Sequence, residues 1–221
     1  MIRLFTGYDQ REAEGWHNFI QSLLNTSSNY RLMPPLSGNQ GDGTNAFTLA
    51  RFAVPELCNW SGPAIFLDAS DMILKADISE LAAHFDKDYA VQVVKHDYRT
   101  RSPKKYIGTE MEAANQDYPR KNWSSVILWN CGHIAHFKAK NRIKRAIKEG
   151  DGKYLHRFGW LKDRLIGELP MVWNWLPQED GVNEHAKLVH YTLGIPGFKH
   201  YANDPMSQDW HRVAKTFHSE R

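Results

Sequence analysis

The architecture of this chain is indicated most directly by residues 66–74, which read Phe66-Leu67-Asp68-Ala69-Ser70-Asp71-Met72-Ile73-Leu74. An apolar run that begins at Ala64, after a Gly-Pro turn, leads straight into two acidic residues, Asp68 and Asp71. A run of this kind is typical of a buried strand in a parallel sheet. Carboxylates that follow such a strand lie at the carboxyl edge of the sheet, where open α/β folds bind ligands.

These two carboxylates are close enough in sequence to repel each other unless protons or a cation compensate their charge. Hard oxygen ligands suit Mg²⁺ or Mn²⁺ ions that also carry substrate phosphates. The segment therefore indicates a divalent metal site that holds a diphosphate. The alternative interpretation is a solvated turn in which Asp68 or Asp71 caps the following helix.

Strand and helix patterns alternate along the rest of the chain. Strands are predicted at residues 2–8, 30–33, 64–67, 89–94, 124–129 and 187–191. Helices are predicted at residues 10–24, 45–57, 78–85 and 135–148, within 154–169, and at about 209–218. The polar stretches 37–43 and 97–121 are predicted to be loops, the second with one helical turn around residues 110–115. This alternation predicts a three-layer α/β/α fold with a mostly parallel central sheet.

Composition limits the class of protein. The 221 residues suit a single domain, 1–221, that is large enough to bury a full core. Two cysteines and the lack of a long apolar stretch predict a cytoplasmic protein in a reducing compartment. The formal net charge of +3 is compatible with an anionic substrate or a membrane surface and does not point to nucleic acid. No obligate protein partner is evident.

Three segments carry a family resemblance: Phe47–Leu57, Phe66–Asp71 with Lys75–Leu81 behind it, and Leu188–Gly194. In this order they resemble the glycosyltransferases of the GT-A fold, most closely glycosyltransferase family 8 and its relatives. Residues 126–130 and 170–177 resemble the same family more weakly. The resemblance implies the GT-A (nucleotide-diphospho-sugar transferase) fold and a UDP-linked nucleotide-sugar donor that is bound with Mn²⁺ or Mg²⁺. It also implies transfer with retention of the anomeric configuration.

The resemblance also implies a metal site formed by Asp68, Asp71 and His190, with Arg51 reaching the phosphates or the donor sugar. The acidic motif here is one residue longer than the Asp-x-Asp of the family, and a direct overlay places Ser70 at the second ligand position. We expect Asp71 to be the ligand, because a hard dication gains more from a carboxylate than from a hydroxyl.

Four further residues are matched to roles in substrate binding. Tyr8 is expected to stack on uracil, and Asp9 to accept a hydrogen bond from the base, although Asp9 suits an N-cap of the next helix equally well. Lys199 is expected to replace the phosphate-binding lysine that the family has after its late glycine. Asp163 is expected to hold sugar hydroxyls, the alternative being a solvated helix residue paired with a neighbouring cation.

Asn130 is expected to line the same sugar pocket, or else only to end its strand. The segment 97–121 is either a lid that orders over the donor or a permanently ordered loop. The basic segment 138–148 is either a solvated helix face or a surface that docks on anionic membrane.

The activity predicted from these residues is metal-dependent sugar transfer to a glycan or lipid-linked acceptor. A sugar-phosphate nucleotidyltransferase and a non-catalytic carbohydrate-binding domain are the alternatives.

Overall fold

The computed structural model describes residues 1–38 and 45–219, so most of the predicted loop at 37–43 lies outside the described residues. The strands are β1 (Ile2–Thr6), β2 (Tyr30–Leu32), β3 (Pro63–Leu67), β4 (Met72–Leu74), β5 (Val91–Val93), β6 (Lys104–Lys105), β7 (Ala113–Ala114), β8 (Val126–Asn130), β9 (Ile166–Glu168) and β10 (Leu188–His190). The α-helices are α1 (Ala13–Thr26), α2 (Val54–Leu57), α3 (Ile78–Ala82), α4 (Ile134–Glu149), α5 (Gly152–His156), α6 (Pro177–Asp180) and α7 (Ser207–Ser219).

The main sheet has six strands in the order β2-β1-β3-β8-β5-β9. Strand β8 is antiparallel to both of its neighbours, and the other neighbouring pairs are parallel. The prediction of a mostly parallel central sheet is therefore confirmed. Strands β1, β3, β5 and β9 end at one edge of this sheet, and β8 begins there, with Val126 paired with Leu67.

The two faces of the sheet carry separate cores because successive side chains of a strand point to opposite sides. In β3, Ala64 and Phe66 pack into one core, with Trp129 of β8. Ile65 and Leu67 pack into the other, which includes side chains of α1. Helices on both faces complete the predicted three-layer arrangement.

A second sheet of two antiparallel strands brings the end of the chain back to the acidic motif. Strand β4 follows that motif directly, and β10 pairs with it so that His190 is the partner of Met72. Below this small sheet, α7 contributes Trp210 and Ala214 to a third apolar cluster. The pairing fixes His190 next to the turn that carries Asp68 and Asp71.

Two predicted helices are shorter than expected. A 3-10 helix at Ala50–Ala53 leads into α2, which starts only at Val54, with Pro55 in its first turn, where the missing proline N–H is harmless. Within 154–169, α5 starts earlier and ends at His156, and residues 166–168 form β9. Parallel pairing of β9 with β5 overrides the local helix pattern there.

The predicted helical turn around residues 110–115 is wrong, because Ala113–Ala114 pairs with Lys104–Lys105 as a short antiparallel hairpin. This hairpin is anchored by the buried Tyr106, whose N–H donates to the Leu193 carbonyl at 2.6 Å. Next to it, the Ile107 N–H donates to the Tyr201 hydroxyl at 2.8 Å. These contacts favour a permanently ordered segment over a lid.

Within the described part of the chain, none of the helices combines the length and apolar character that crossing a bilayer requires.

Candidate functional site

The acidic motif forms a tight turn at the carboxyl end of β3. The Ser70 N–H donates to the Asp68 carbonyl at 2.8 Å, and the Met72 N–H donates to that of Ala69 at 3.0 Å. Ala69 has a φ of 65°, in the left-handed region, which costs roughly 1 kcal/mol for a residue with a Cβ. Helix α1 packs closely against this turn, and a Cβ added to Gly15 would lie only 1.9 Å from the Ser70 carbonyl oxygen.

The structure brings together the three residues that were predicted to bind metal. Asp68, Asp71 and His190 each offer one ligand atom, and these atoms all lie within 4.8 Å of one another. Asp71 lines the adjacent cavity, whereas Ser70 is fully buried and is not among the residues that line it. This placement supports Asp71 over Ser70 as the second acidic ligand.

The imidazole of His190 is held on both sides. Its Nε2 lies 3.1 Å from Oδ2 of Asp71, and its Nδ1 lies 2.9 Å from Oδ1 of Asn174. Asn174 is fully buried, and its Nδ2 donates to the Asn122 carbonyl and to Oγ of Ser125. Because the amide oxygen can only accept, Nδ1 of His190 carries the proton and Nε2 faces the carboxylates as a potential ligand.

The electrostatics of this triad call for a cation. Burial raises the pKa of Asp68 to about 7; Arg51 opposes the rise and Asp71 adds to it. Burial alone would lower the pKa of His190, but Asp71 outweighs it, so the pKa is raised. Oδ1 of Asp71 is buried and has no hydrogen-bond partner among the described residues.

A dication would satisfy these groups together. Two carboxylates and an imidazole nitrogen form an oxygen–nitrogen donor set that suits Mn²⁺ and, less well, Mg²⁺. The ion would supply the positive charge that Oδ1 of Asp71 lacks, and it would bind Nε2 of His190, the ring nitrogen opposite the protonated Nδ1. The residues present therefore fit a divalent metal.

Arg51 is buried and is committed to Asp68. Its Nη1 lies 2.5 Å from Oδ1 of Asp68 and donates to the Ser124 carbonyl at 2.7 Å, while its Nε donates to the Thr48 carbonyl at 2.9 Å. The guanidinium also lies over the ring of Phe66, 5.0 Å from its centroid. The structure shows Arg51 in an ion pair with Asp68. A contact of Arg51 with the phosphates or the donor sugar stays a prediction.

A cavity of about 550 Å³ opens beside the triad. It is lined by Asp68, Asp71 and His190 together with a set of basic side chains, namely Arg51, Lys105, Lys121, Lys153 and Arg157. A cavity of this size is large enough for a nucleotide or a small glycan.

Lys105 lines this cavity, although no role was predicted for it from the sequence. It lies on the hairpin of β6 and β7; burial lowers its pKa, and the charges of Asp71 and Glu12 oppose that effect. The only sequence signal was its membership of the basic cluster within 97–121.

Glu12 is a second residue that the sequence did not assign. It is fully buried, burial and the nearby Asp71 raise its pKa well above the usual range, and Oε2 accepts from Nδ2 of Asn45 at 2.7 Å. Oη of Tyr106 donates to the oxygen of the same amide at 3.2 Å, so these residues link the triad to the hairpin.

Three predicted site residues lie elsewhere. Asn130 is at the opposite edge of the sheet, because β8 runs antiparallel, and its amide donates to the carbonyls of Lys87 and Tyr89. Asp163 has a 91% exposed side chain and forms an ion pair with Arg120. Lys199 is exposed on a separate cavity between the Ile107–Thr109 and Gly197–His200 segments. The placement of Asn130 in the sugar-nucleotide pocket is therefore wrong, and neither Asp163 nor Lys199 lines the cavity beside the triad.

Asp9 and Tyr8 follow β1 as predicted, but their contacts are internal. Asp9 caps the 3-10 helix at Gln10–Glu12 by accepting from the Arg11 N–H, and it also accepts from the Ala46 N–H at 2.8 Å. The Tyr8 ring packs edge-on against Trp16, with centroids 5.6 Å apart. The N-cap interpretation of Asp9 is what the structure shows, and contacts of either residue with a nucleotide base stay predictions.

Solved structures share this architecture. GlyE of Streptococcus pneumoniae TIGR4, a glycosyltransferase, superposes with a TM-score of 0.65 at 12% identity, over 96% of this chain and 60% of that protein. The galactosyltransferase LgtC, solved with donor and acceptor sugar analogues, gives a TM-score of 0.64 at 13% identity, over 97% and 96%. The bifunctional glycosyltransferase WbbM gives 0.62 at 14% identity, over 96% of this chain and 49% of that one.

At these identities the likeness establishes the fold, so the prediction of a GT-A fold is confirmed. The chain spans about 60% of GlyE and about half of WbbM. The narrower resemblance to family 8 stays a prediction.

No protein-family model matches the sequence. One curated protein does: the chain is 35% identical over 238 aligned positions, which include 99% of this chain and 88% of the relative, to Protein CDI of Arabidopsis thaliana. Identity at this level over nearly the whole length establishes common descent, and the chain therefore belongs to the family of Protein CDI.

Proposed function

We propose that this protein is a metal-dependent glycosyltransferase that moves a sugar from a nucleotide-sugar donor to an acceptor. The observation that carries the proposal is the convergence of Asp68, Asp71 and His190 within 4.8 Å, on a cavity at the carboxyl edge of a GT-A sheet. Ligands of open α/β sheets bind at this edge. Several proteins with the same fold are glycosyltransferases, and LgtC has been solved with both donor and acceptor analogues.

Glycosyl transfer from a nucleotide sugar needs stabilisation of the diphosphate as it leaves and gains negative charge. A divalent ion bound by Asp68, Asp71 and His190 would supply that stabilisation without proton transfer. Arg51 keeps the Asp68 carboxylate in place through its 2.5 Å contact, and Lys105 adds positive charge from the hairpin side. The buried anchor at Tyr106 holds that hairpin over the cavity.

The finer assignments follow from the family resemblance of the three ordered segments. We propose a UDP-linked donor, transfer with retention, and a glycan or lipid-linked acceptor, as in polysaccharide biosynthesis. Mn²⁺ is preferred to Mg²⁺, because an imidazole joins the two carboxylates in the ligand set.

A location in the cytoplasm, with peripheral contact to a membrane, is part of the proposal. On α4, Ile134 and Phe137 are exposed and stand among Lys138, Lys140 and Lys148. Apolar side chains beside cations suit the surface of an anionic bilayer, where lipid-linked acceptors reside. Co-sedimentation with vesicles that contain 30% phosphatidylserine, about the anionic range of such membranes, tests it. Loss of binding in Phe137→Ser is expected, and equal recovery with neutral vesicles would refute it.

Calorimetry with UDP and Mn²⁺ tests the proposed activity. We expect UDP to bind only when the ion is present, and Asp68→Asn to abolish that binding. Asp88→Asn is the matched control, because Asp88 is exposed and distant from the cavity lining. If no uridine, guanosine or cytidine diphosphate bound with any divalent ion, the proposal would fail.

Two further measurements distinguish the alternative functions. Sugar binding that a chelator leaves unchanged would indicate a carbohydrate-binding domain. Release of pyrophosphate from a nucleoside triphosphate and a sugar phosphate would indicate a nucleotidyltransferase.

A further inference from the structure

One wall of the 550 Å³ cavity carries positive charge that no acidic residue of the described segments pairs with. Lys153 of α5 and Arg157, just after that helix, both line the cavity. Lys153 is exposed and Arg157 is half-buried. Within residues 1–38 and 45–219, neither side chain makes a hydrogen bond, an ion pair or a contact with an aromatic ring.

The other basic residues of the lining differ in this respect. Arg51 is paired with Asp68, and Lys121 donates to Oδ1 of Asn115 at 2.6 Å and lies 3.7 Å from Asp117. For Lys105, Asp71 is the charged residue with the largest effect on the pKa, which it raises. Lys153 and Arg157 are therefore the cavity cations whose charge is left over.

The substrates already proposed do not use this charge. A divalent ion and the two charges of a sugar-linked diphosphate cancel each other. The lining would then still hold more cations than carboxylates, because Asp68 and Asp71 are its two carboxylates and its basic residues are Arg51, Lys105, Lys121, Lys153 and Arg157. A surplus of one sign inside a concave site favours a ligand with the opposite charge.

Helix α5, which carries Lys153 and is followed directly by Arg157, is connected to the triad by a short series of contacts. Arg51, bound to Asp68, donates to the Ser124 carbonyl at 2.7 Å, and Oγ of Ser124 lies 2.7 Å from Nδ1 of His156. His156 lies on α5 between Lys153 and Arg157 in sequence. This series of contacts connects α5 to the Arg51 side of the triad, and Lys153 and Arg157 line the same cavity as the triad.

We infer that Lys153 and Arg157 form a subsite for an oxyanion, either a carboxylate or a phosphate, that is carried by the transferred sugar or by its acceptor. The inference deepens the proposed function and rests on it. Arginine binds such groups through two parallel N–H donors, and lysine adds a point charge. Charge-assisted hydrogen bonds of this kind change affinity by about 10- to 100-fold.

The test uses the double variant Lys153→Gln/Arg157→Gln in the full chain. Its control is Lys87→Gln/Arg99→Gln, which removes the same charge from exposed positions outside the cavity. In the donor arm, calorimetry compares UDP-glucuronate with UDP-glucose in the presence of Mn²⁺. In the acceptor arm, glucose-6-phosphate is compared with glucose after saturation with UDP and Mn²⁺.

We expect the native protein to prefer the acidic probe by about 10-fold or more in one arm. The double variant should lose that preference and keep its affinity for UDP, and the control should keep both. The absence of any preference in either arm of the native protein overturns the inference. An equal fall in UDP affinity in the double variant also overturns it, because the two cations would then bind the diphosphate.

Failure of the proposed function gives a different result. If the native protein bound no UDP, glucose-6-phosphate would be titrated alone into metal-free protein. Binding that is lost only in the double variant would then retain the oxyanion subsite, and no binding would reject it.

Discussion

Asn174 offers a sharp test of how the candidate metal site is built. Replacing it with leucine, whose side chain has the same branching of heavy atoms, removes three hydrogen bonds: the one to His190, the one to the Asn122 carbonyl and the one to Ser125. The Asn122 carbonyl keeps the hydroxyl of Ser125 as a donor, so the main loss falls on Nδ1 of His190. A buried donor left without an acceptor costs about 1–3 kcal/mol.

The effect on metal binding should be separate from the effect on stability. Without the amide oxygen, His190 is free to protonate Nε2 instead of Nδ1 and to rotate away from Asp71. Loss of such an outer partner lowers metal affinity by about 10- to 100-fold. We therefore expect Mn²⁺ to bind about 10- to 100-fold more weakly to Asn174→Leu, with a midpoint of thermal unfolding lower by about 2–12 °C.

Titration with Mn²⁺, followed by electron paramagnetic resonance of the free ion, measures the affinity, and calorimetric unfolding measures the stability. Ser22→Ala is the control for stability alone, because its buried hydroxyl accepts from the Leu74 N–H and donates to the Phe19 carbonyl. It should unfold earlier and bind Mn²⁺ normally. Asn174→Asp keeps an acceptor for His190 and should recover much of the affinity. Native affinity in a folded Asn174→Leu protein would refute the reasoning.

Three other predictions concern the acidic motif, the buried histidines and the hairpin. Asp71→Asn should abolish Mn²⁺ binding while Ser70→Ala changes it by less than about threefold, and the reverse order in calorimetry would show that the hydroxyl is the ligand. Burial lowers the pKa of His136 to about 4, below its value of about 6.5 in the unfolded chain, so the unfolded state takes up the proton first on acidification. Protonation of His136 in the unfolded chain should lower stability by about 2 kcal/mol between pH 7 and 5 in urea unfolding, and His136→Gln should lose this part of the pH dependence. A variant His136→Gln with the same slope as the native protein would contradict this. Trypsin should cleave the segment 97–121 equally slowly with and without UDP and Mn²⁺, and much faster in Tyr106→Ala, whereas protection of the native protein by both ligands would indicate a lid.

The acidic half of the site could be predicted from local pattern alone. A buried apolar run that ends in Asp68 and Asp71 already implies the carboxyl edge of a sheet, whatever the strands beside it do. His190 is different, because its place depends on the pairing of β10 with β4, which joins residues more than 100 positions apart. Only the resemblance of the segment around it identified that residue.

The errors arise where direction or distant packing decides. The apolar pattern of a five-residue strand is the same in either direction. It therefore does not reveal that β8 is antiparallel and that Asn130 lies at the far edge. Asn174 is a neutral side chain inside an apolar segment and carries no charge pattern to mark it. Lys105 lines the cavity next to Tyr106, whose buried ring anchors the hairpin. A single buried residue in a long polar segment produces no periodic pattern by which it could be predicted.

Gly15 has a consequence for engineering. The turn at residues 68–71 packs so closely against α1 that the helix has room only for a glycine under the Ser70 carbonyl. The loop and the helix are therefore one transferable unit, although about fifty positions separate them along the chain. A chimera that receives residues 68–71 without the glycine would have to lift the loop or shift the helix, and either movement would disturb the spacing of the two carboxylates. A graft of this motif into another domain of the same fold should carry Gly15 with it.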